Sequence, residues 1–490
     1  MRKNKFVGFL ILSIIAKLSL NAQEHIVSLD EAIAVALENN KKLKVSQTSI
    51  EIADTMYNQA MSAHYPTLDV EVSAMRMDQA PTFTMVGSTT VDNSQTIALY
   101  NGLSGAAAAD GNAFTSGVYA QTAANTPATS SLPINMEVQM AGRDTVVSNI
   151  NTKLPLYTGG KISAIVEQAN GGRKIAQVMR ERTKNEIIFD VKRYYYGVVL
   201  TKQLKQLSED TIERMGFISD LTSELYQGGS MNVKKTDYLR TKLSVSLLES
   251  LNQNISEKET MAKAALLFAM GLPYNDTIDV QDTKLMDPNM GASLTTLVED
   301  AYHFNPQYKT LKLAVDIQEA KIDEAQSGYL PMVGLSASAQ HIHNDYEYGV
   351  FNETNDRSWT IGVGVQWSLF DGMRTTNQVE QSRLEKIKLK QQEILLQEGL
   401  ALQVKQAFMK MQSSHKQFVI LSEAVEVAQE NRELNTRAYQ EDMVETKDVI
   451  ESQLFEAYSS ADYYRSIHDH ALAKANADFL VGRALEDSVK

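Results

Sequence analysis

The chain writes one unit twice. Shifted by 265 positions without a gap, Ser28, Leu29, Ala36, Asn40, Lys44, Ile52, Ala60, Ser62 and Pro66 fall on Ser293, Leu294, Ala301, Asn305, Lys309, Ile317, Ala325, Ser327 and Pro331. Farther along the shift becomes 213, and Leu156, Gly159, Val166, Glu167, Gln168 and Tyr226 fall on Leu369, Gly372, Val379, Glu380, Gln381 and Tyr439. Two copies of one long unit build one shared architecture rather than two unrelated domains. The difference of 52 places an insertion in the first copy, between Pro66 and Leu156. The division expected is a signal segment at 1–22, a first repeat at 23–280, a second at 281–482 and a short tail at 483–490.

Proline placement shows where long helices can run, because a proline inside a helix removes a hydrogen bond and clashes with the preceding turn. Leu156 to Leu272, and everything after Pro331, are free of it. Inside these intervals apolar residues recur at three and four, as in Ile394, Leu395, Leu402, Ala407, Phe408 and Met411. The pattern predicts helices over about 160–226, 231–270, 373–439 and 445–481, with shorter ones over about 29–64 and 294–329. A helix of about 67 residues is roughly 100 Å long and belongs to a coiled-coil assembly. Gly171, Gly172 and Gly197 are the weak points of the first, each costing about 1 kcal/mol against alanine. Ser28 with Glu31 forms a capping box, and Ser293 holds the equivalent cap.

After Pro66 and Pro331 the period changes to two. Leu68, Val70 and Val72 alternate with polar residues, as do Trp359, Ile361, Val363, Val365, Trp367 and Leu369. Such runs suit strands with one apolar and one wet face. Trp359 and Trp367, the only tryptophans, stand eight residues apart on the apolar side, roughly 26 Å at about 3.3 Å per residue. That matches the apolar band of about 25 Å between the aromatic girdles of a membrane barrel.

The first 22 residues read as an export signal: Arg2, Lys3 and Lys5, then an apolar run, then a possible cut after Ala22. Cysteine is absent, so disulfides, thiolate chemistry and a lipidated cysteine are excluded. With no other long apolar run, only a β-barrel could span a membrane. Each copy supplies two strands, and four cannot close a barrel, so closure needs subunits: eight strands from a dimer or twelve from a trimer. Only the wider one encloses a channel. The balance of 47 basic to 60 acidic residues argues against a nucleic-acid partner.

The doubled phrases "SLDEAIAVALENNKKLK…AHYPTL" and "SLTTLVEDAYHFNPQYK…GYLPMV", closed by "LPLYTGGK" and "WSLFDGMR", resemble the TolC family of outer-membrane efflux proteins over about residues 28–482. The resemblance implies an α+β membrane protein: a trimeric 12-stranded β-barrel, four strands per chain, continued by a long α-helical coiled-coil barrel. It implies a Gram-negative outer membrane around the strands and periplasm around the helices. It further implies a homotrimer that serves as passive exit duct for a tripartite efflux or type I secretion system. The partners would be a periplasmic adaptor, an inner-membrane pump of RND, ABC or MFS type and outer-membrane lipid, with no cofactor. The alternative is a trimeric coiled-coil surface or scaffold protein without a conduit.

The tips follow from the residues and from the resemblance together. "YQGGSMN" from Tyr226 and "YQEDMVE" from Tyr439 interrupt the long helices at equivalent places. Relatives often carry Y-x-x-G there for adaptor recognition. Tyr226, Gly228, Gly229, Ser230, Glu441 and Asp442 are therefore the expected docking residues, with Gly229 fitting the pattern and Asp442 departing from it. Asp448 and Glu451, three apart on one helix face, read by themselves as an ordinary solvated helix start, where carboxylates favour the positive end of the dipole; around a threefold axis they would give six carboxylates, a ring that selects cations. Tyr439 matches a tyrosine of the family's closing network, whereas Val444 and Lys235 stand where relatives often have an arginine and an acidic residue. The girdle residues are Trp359 and Trp367.

Other features lead nowhere chemical. The insertion, about 79–143, is rich in Gly, Ala, Ser, Thr and Asn and reads as a long surface loop. His341 and His343 lack a further ligand set, "YTGGK" lacks phosphate-loop spacing, and no catalytic signature occurs, so neither metal nor enzyme is expected.

Overall fold

The computed structural model describes residues 25–345 and 356–483. The expected signal at 1–22 and nearly all of the tail lie outside these residues. The described strands are β1 (His25–Val27), β2 (Thr67–Arg76), β3 (Thr82–Asp92), β4 (Thr129–Gln139), β5 (Asp144–Tyr157), β6 (Ile278–Val280), β7 (Met332–Asn344) and β8 (Arg357–Gln366). The helices are α1 (Leu29–Asn39), α2 (Lys41–Ser62), α3 (Ser94–Ala109), α4 (Ala113–Asn125), α5 (Lys161–Gln227), α6 (Lys235–Met270), α7 (Leu294–Phe304), α8 (Pro306–Gln326), α9 (Arg374–Gln440) and α10 (Thr446–Val481). The chain forms two compact units, one of residues 62–160 with 327–371 and one of the remainder. Each repeat contributes to both.

In the helical unit the repeat is metrically close. α5 and α9 both have 67 residues, and α6 and α10 both have 36. The glycines of α5 do not interrupt it. Gly171 is needed for space, since a Cβ there would overlap Ile317 Cγ1 of α8. The main core gathers Ile188, Val191, Tyr195, Val198 and Val199 of α5 against Leu266 and Met270 of α6, with Ala32, Ile33 and Ala36 of α1. Each large aliphatic side chain buried there contributes about 1.5–3 kcal/mol. The parallel pair β1–β6 closes one side. Beside it, burial raises the Asp279 carboxyl, but Lys202 at 2.6 Å and Lys263 at 3.2 Å outweigh that and hold it below its usual range.

The two shorter helices expected at about 29–64 and 294–329 are each broken. Asn40 separates α1 from α2 and Asn305 separates α7 from α8. Each asparagine accepts from a backbone N–H at the start of the next helix, Lys42 at 2.9 Å and Gln307 at 2.9 Å. Each also donates to the last turn of a distant helix, Asn40 to Ala269 O and Asn305 to Leu480 O, both at 2.7 Å. Pro306 occupies the first position of α8, where a missing N–H costs nothing.

The strand unit contains a four-stranded antiparallel sheet in the order β2-β5-β7-β8. Register puts Leu68, Val70 and Val72 on one face with Ile150, Leu154, Leu335, Ala337, Ala339, Trp359, Ile361, Val363 and Val365. The opposite face carries Asp69, Glu71, Asn149, Asn151, Lys153, Ser336, Ser338 and Gln340. Gly159 (φ 62°) and Gly160 (φ 87°) make the turn after β5, and a Cβ on Gly159 would come within 2.7 Å of Leu330 Cβ.

The insertion is not the irregular loop that its composition suggests. It is a two-stranded ribbon, β3 paired with β4 over eleven residue pairs, capped by the helical hairpin α3–α4. Tyr100 stacks on Tyr119 and Ser104 bonds to Ser116 across that hairpin. Backbone groups of a buried or extended segment must find partners, and ladder bonds satisfy them where an open loop would rely on water.

Candidate functional site

The residues expected at the tips lie where α5 turns into α6 and α9 into α10. Both long helices end in the same way. Ser230 N–H donates to Leu225 O at 3.0 Å and Met443 N–H to Ala438 O at 2.8 Å, the closing bond of a glycine-type helix stop. Gly229 (φ 75°) and Asp442 (φ 60°) take the same left-handed conformation. Asp442 therefore keeps the turn that glycine would make, at the modest strain that aspartate tolerates there. Its carboxylate also accepts from Asn232 Nδ2 at 3.2 Å, joining the two tips. Gly228 bonds back to Glu224 O at 2.7 Å, and Glu441 caps α9 through Arg437 O at 3.3 Å.

The two tip tyrosines differ although the repeat equates them. Tyr226 is partly exposed and stacks parallel on Tyr238. Tyr439 is buried, with its ring against Ile218 and Val449 and Val444 packed alongside. Its hydroxyl lies 2.8 Å from Thr222 Oγ1 and 3.0 Å from Thr446 Oγ1. Thr222 donates to Ile218 O at 2.6 Å, so a consistent chain runs from Thr446 through Tyr439 to Thr222. Farther from the tip Arg214 donates to Glu456 at 2.7 Å and to Gln453 at 3.2 Å, and Arg432 approaches the same carboxylate at 3.7 Å. Glu456 is buried, so this carboxylate depends on its two arginines. Nothing in the sequence marks Thr222, Thr446, Arg214 or Glu456. Spacing alone gives no signal for residues that meet from different helices.

Asp448 and Glu451 both lie exposed at the start of α10. Asp448 accepts from the Glu445 N–H at 3.3 Å, as Asp237 does from Lys234 at 2.9 Å in the first copy. Glu451 faces Lys447 at 3.5 Å. In the strand unit Trp359 and Trp367 are exposed, and the Trp367 indole donates to Tyr329 O at 3.0 Å. His341 bonds to Asp356 O at 3.1 Å, and no metal-holding cluster occurs among the described residues.

A repeated pair of long helices, joined to a sheet with one apolar face, is the fold of an outer-membrane channel protein. The profile of the outer membrane efflux protein family matches residues 32–272 and 297–444, and the chain belongs to that family. It is an outer-membrane protein of the TolC type. Among curated relatives, the alkaline protease secretion protein AprF of Pseudomonas aeruginosa is 25% identical over 252 residues, half of each chain. The fusaric acid resistance protein FusA of Burkholderia cepacia is 26% identical over 206 residues, 40% of this chain and 37% of that one. These matches thus span about half the length of the relatives or less. Among solved structures, the outer membrane channel CmeC of Campylobacter jejuni shares the fold with a TM-score of 0.69 at 14% identity, covering 96% of this chain and 90% of that one. VceC, an outer membrane protein of Vibrio cholerae, gives 0.68 at 14% identity, covering 93% and 96%.

Proposed function

We propose that three copies of this chain form the outer-membrane exit duct of a tripartite efflux or type I secretion system. The observation that carries this reading is the sheet β2-β5-β7-β8. It has a continuous apolar face, and β2 and β8 each have one neighbour among the described residues. Open edges are not tolerated in lipid, and three such sheets close into a barrel of twelve strands, wide enough for a channel. The helices also call for a neighbour. Leu239, Leu243, Leu247 and Leu251 form an exposed stripe along α6 that a neighbouring subunit would cover.

The duct is passive. Energy comes from an inner-membrane pump of the RND, ABC or MFS type, joined through a periplasmic adaptor that docks on the tips at Tyr226, Gly228, Gly229, Ser230, Glu441 and Asp442. Tyr439 and its two threonine partners hold the second tip closed, and Asp448 with Glu451 rings the entrance. The names of the two curated relatives point to a protease in one case and to fusaric acid in the other. The cargo of this chain is accordingly a property of its pump. Planar-bilayer recording of the purified protein tests the conduit. Discrete cation-carrying steps are expected, and a protein that binds the membrane without conducting would mean a scaffold instead.

A further inference from the structure

The ribbon β3–β4 has two unlike faces. One side carries Phe83, Met85 and Val91 along β3 with Val138, Met136, Ile134 and Leu132 along β4; the other carries Thr82, Thr84, Ser88 and Thr90 with Gln139, Glu137, Asn135 and Ser131, and Val86 and Pro133 are the apolar exceptions on that second side. Phe83, Met85, Leu132, Ile134 and Met136 are exposed. At about 3.3 Å per residue the ribbon is roughly 36 Å long. It begins where the sheet ends in charge, at the Arg76–Asp144 pair (3.3 Å). Between Asn93 and Met136 the sole charged side chain is Asp110.

The junction fixes which way the apolar side points. Met77 N–H donates to Arg143 O and Met140 N–H to Pro81 O, both at 2.8 Å, so residues 78–80 stand opposite only 141 and 142. One strand therefore carries one extra residue, a bulge. Along β4 into β5 nothing is extra, and Leu132, Ile134, Met136 and Val138 keep the even parity of Val146, Ile150 and Leu154. Along β2 into β3 the extra residue changes even to odd, from Leu68, Val70 and Val72 to Phe83 and Met85. Both strands thus carry the apolar face of the sheet onward into the apolar face of the ribbon. A slip of one residue without the bulge would set the two at odds.

We propose that this ribbon is a lipid-binding arm, with its apolar face on the outer leaflet around the barrel. The inference rests on the barrel reading, in which the apolar face of the sheet meets lipid. Neighbouring copies in a closed ring meet at strand edges, so they do not cover an outward face. A ribbon that bends outward at the bulge turns that face down to the bilayer and its threonine-rich face up to water. Bending inward would do the reverse and expose the apolar side.

Because the chain has no cysteine, single substitutions can be labelled cleanly. The full-length protein carrying Met136→Cys, Ile134→Cys, Asn135→Cys or Val70→Cys is labelled with an environment-sensitive fluorophore. Each is reconstituted in phosphatidylethanolamine–phosphatidylglycerol vesicles with or without brominated phosphatidylcholine. Lipid-borne bromine is expected to lower emission about twofold at 136 and 134, as at the barrel control 70, and to leave 135 nearly unchanged. Quenching at 70 with none at 136 and 134 overturns the arm while the barrel stands. A label at 136 that is blue-shifted but unquenched means a protein cover, and equal quenching at 135 and 136 removes the sidedness; either result also overturns it. No quenching at 70 would sink the barrel reading and this inference with it.

Discussion

Asn40 donates its side-chain amide to the carbonyl of Ala269, 229 residues away, across 2.7 Å. The second repeat makes the same bond from Asn305 to Leu480. Beside each, a left-handed glycine ends the hairpin helix, Gly271 (φ 74°) and Gly482 (φ 88°). A Cβ on Gly271 would come within 2.8 Å of Asn39 backbone atoms, and one on Gly482 within 2.7 Å of Phe304 O. The shared asparagine is thus a clamp that stops one helix, starts the next and ties both to a third.

The clamp should be measurable. Asn40→Ala leaves a buried carbonyl without its donor and removes a helix cap, a cost of about 1–3 kcal/mol. Thermal unfolding followed by the helical signal should show a lowered midpoint for Asn40→Ala and for Asn305→Ala. Asn435→Ala, on an exposed face of α9, serves as control and should stay within about 0.5 kcal/mol of the parent.

The entrance ring can be neutralised without loss of its cap. In Asp448→Asn the amide oxygen still accepts from the Glu445 N–H, and Glu451→Gln loses only a surface pair with Lys447 worth about 0.3–0.5 kcal/mol. The double variant should keep its oligomeric state while cation selectivity and block by multivalent cations weaken. Unchanged reversal potentials and unchanged block in single-channel recordings would refute the ring.

The helical cap of the insertion should be dispensable for assembly. Asp92 lies opposite Thr129, so replacing residues 93–128 by an Asn-Gly turn closes the ribbon with a two-residue hairpin. Light scattering in mild detergent should still give a trimer, lighter than the parent only by the residues removed. Monomers would mean that the cap holds subunits together.

Acid stability should depend on Asp469. His468 at 3.3 Å and Lys410 at 2.8 Å hold its carboxyl down at about 2. A depressed carboxylate stabilises the folded chain fully above the unfolded value of about 3.9, and the contribution is lost as pH falls toward the folded value. The midpoint gap between the parent and Asp469→Asn should therefore be open at pH 5 and close toward pH 2. A gap that widens on acidification would contradict this assignment.

What the sequence determined by itself is what local pattern can carry. Proline-free stretches of helical period placed α5, α9 and α10 to within about one residue and α6 to within about four at its start, and the repeat equated their ends, because periodicity and proline exclusion act within one segment. The strand pairs and their apolar face were legible for the same reason. The strands of the insertion are hidden by its composition, although Leu132, Ile134, Met136 and Val138 alternate with Pro133, Asn135, Glu137 and Gln139. A proline within the run and a glycine-rich surround masked that signal. Tertiary structure alone decided the rest. The breaks at Asn40 and Asn305 exist because each amide reaches a carbonyl on a distant helix, and Tyr439 is buried while Tyr226 is not because Thr222 and Thr446 converge on one of them. Asp442 takes glycine's backbone conformation at the same helix stop as Gly229, and its carboxylate meets Asn232 of the other tip. These are hydrogen bonds between residues far apart in the chain, and no periodicity within a segment encodes where a second segment will lie.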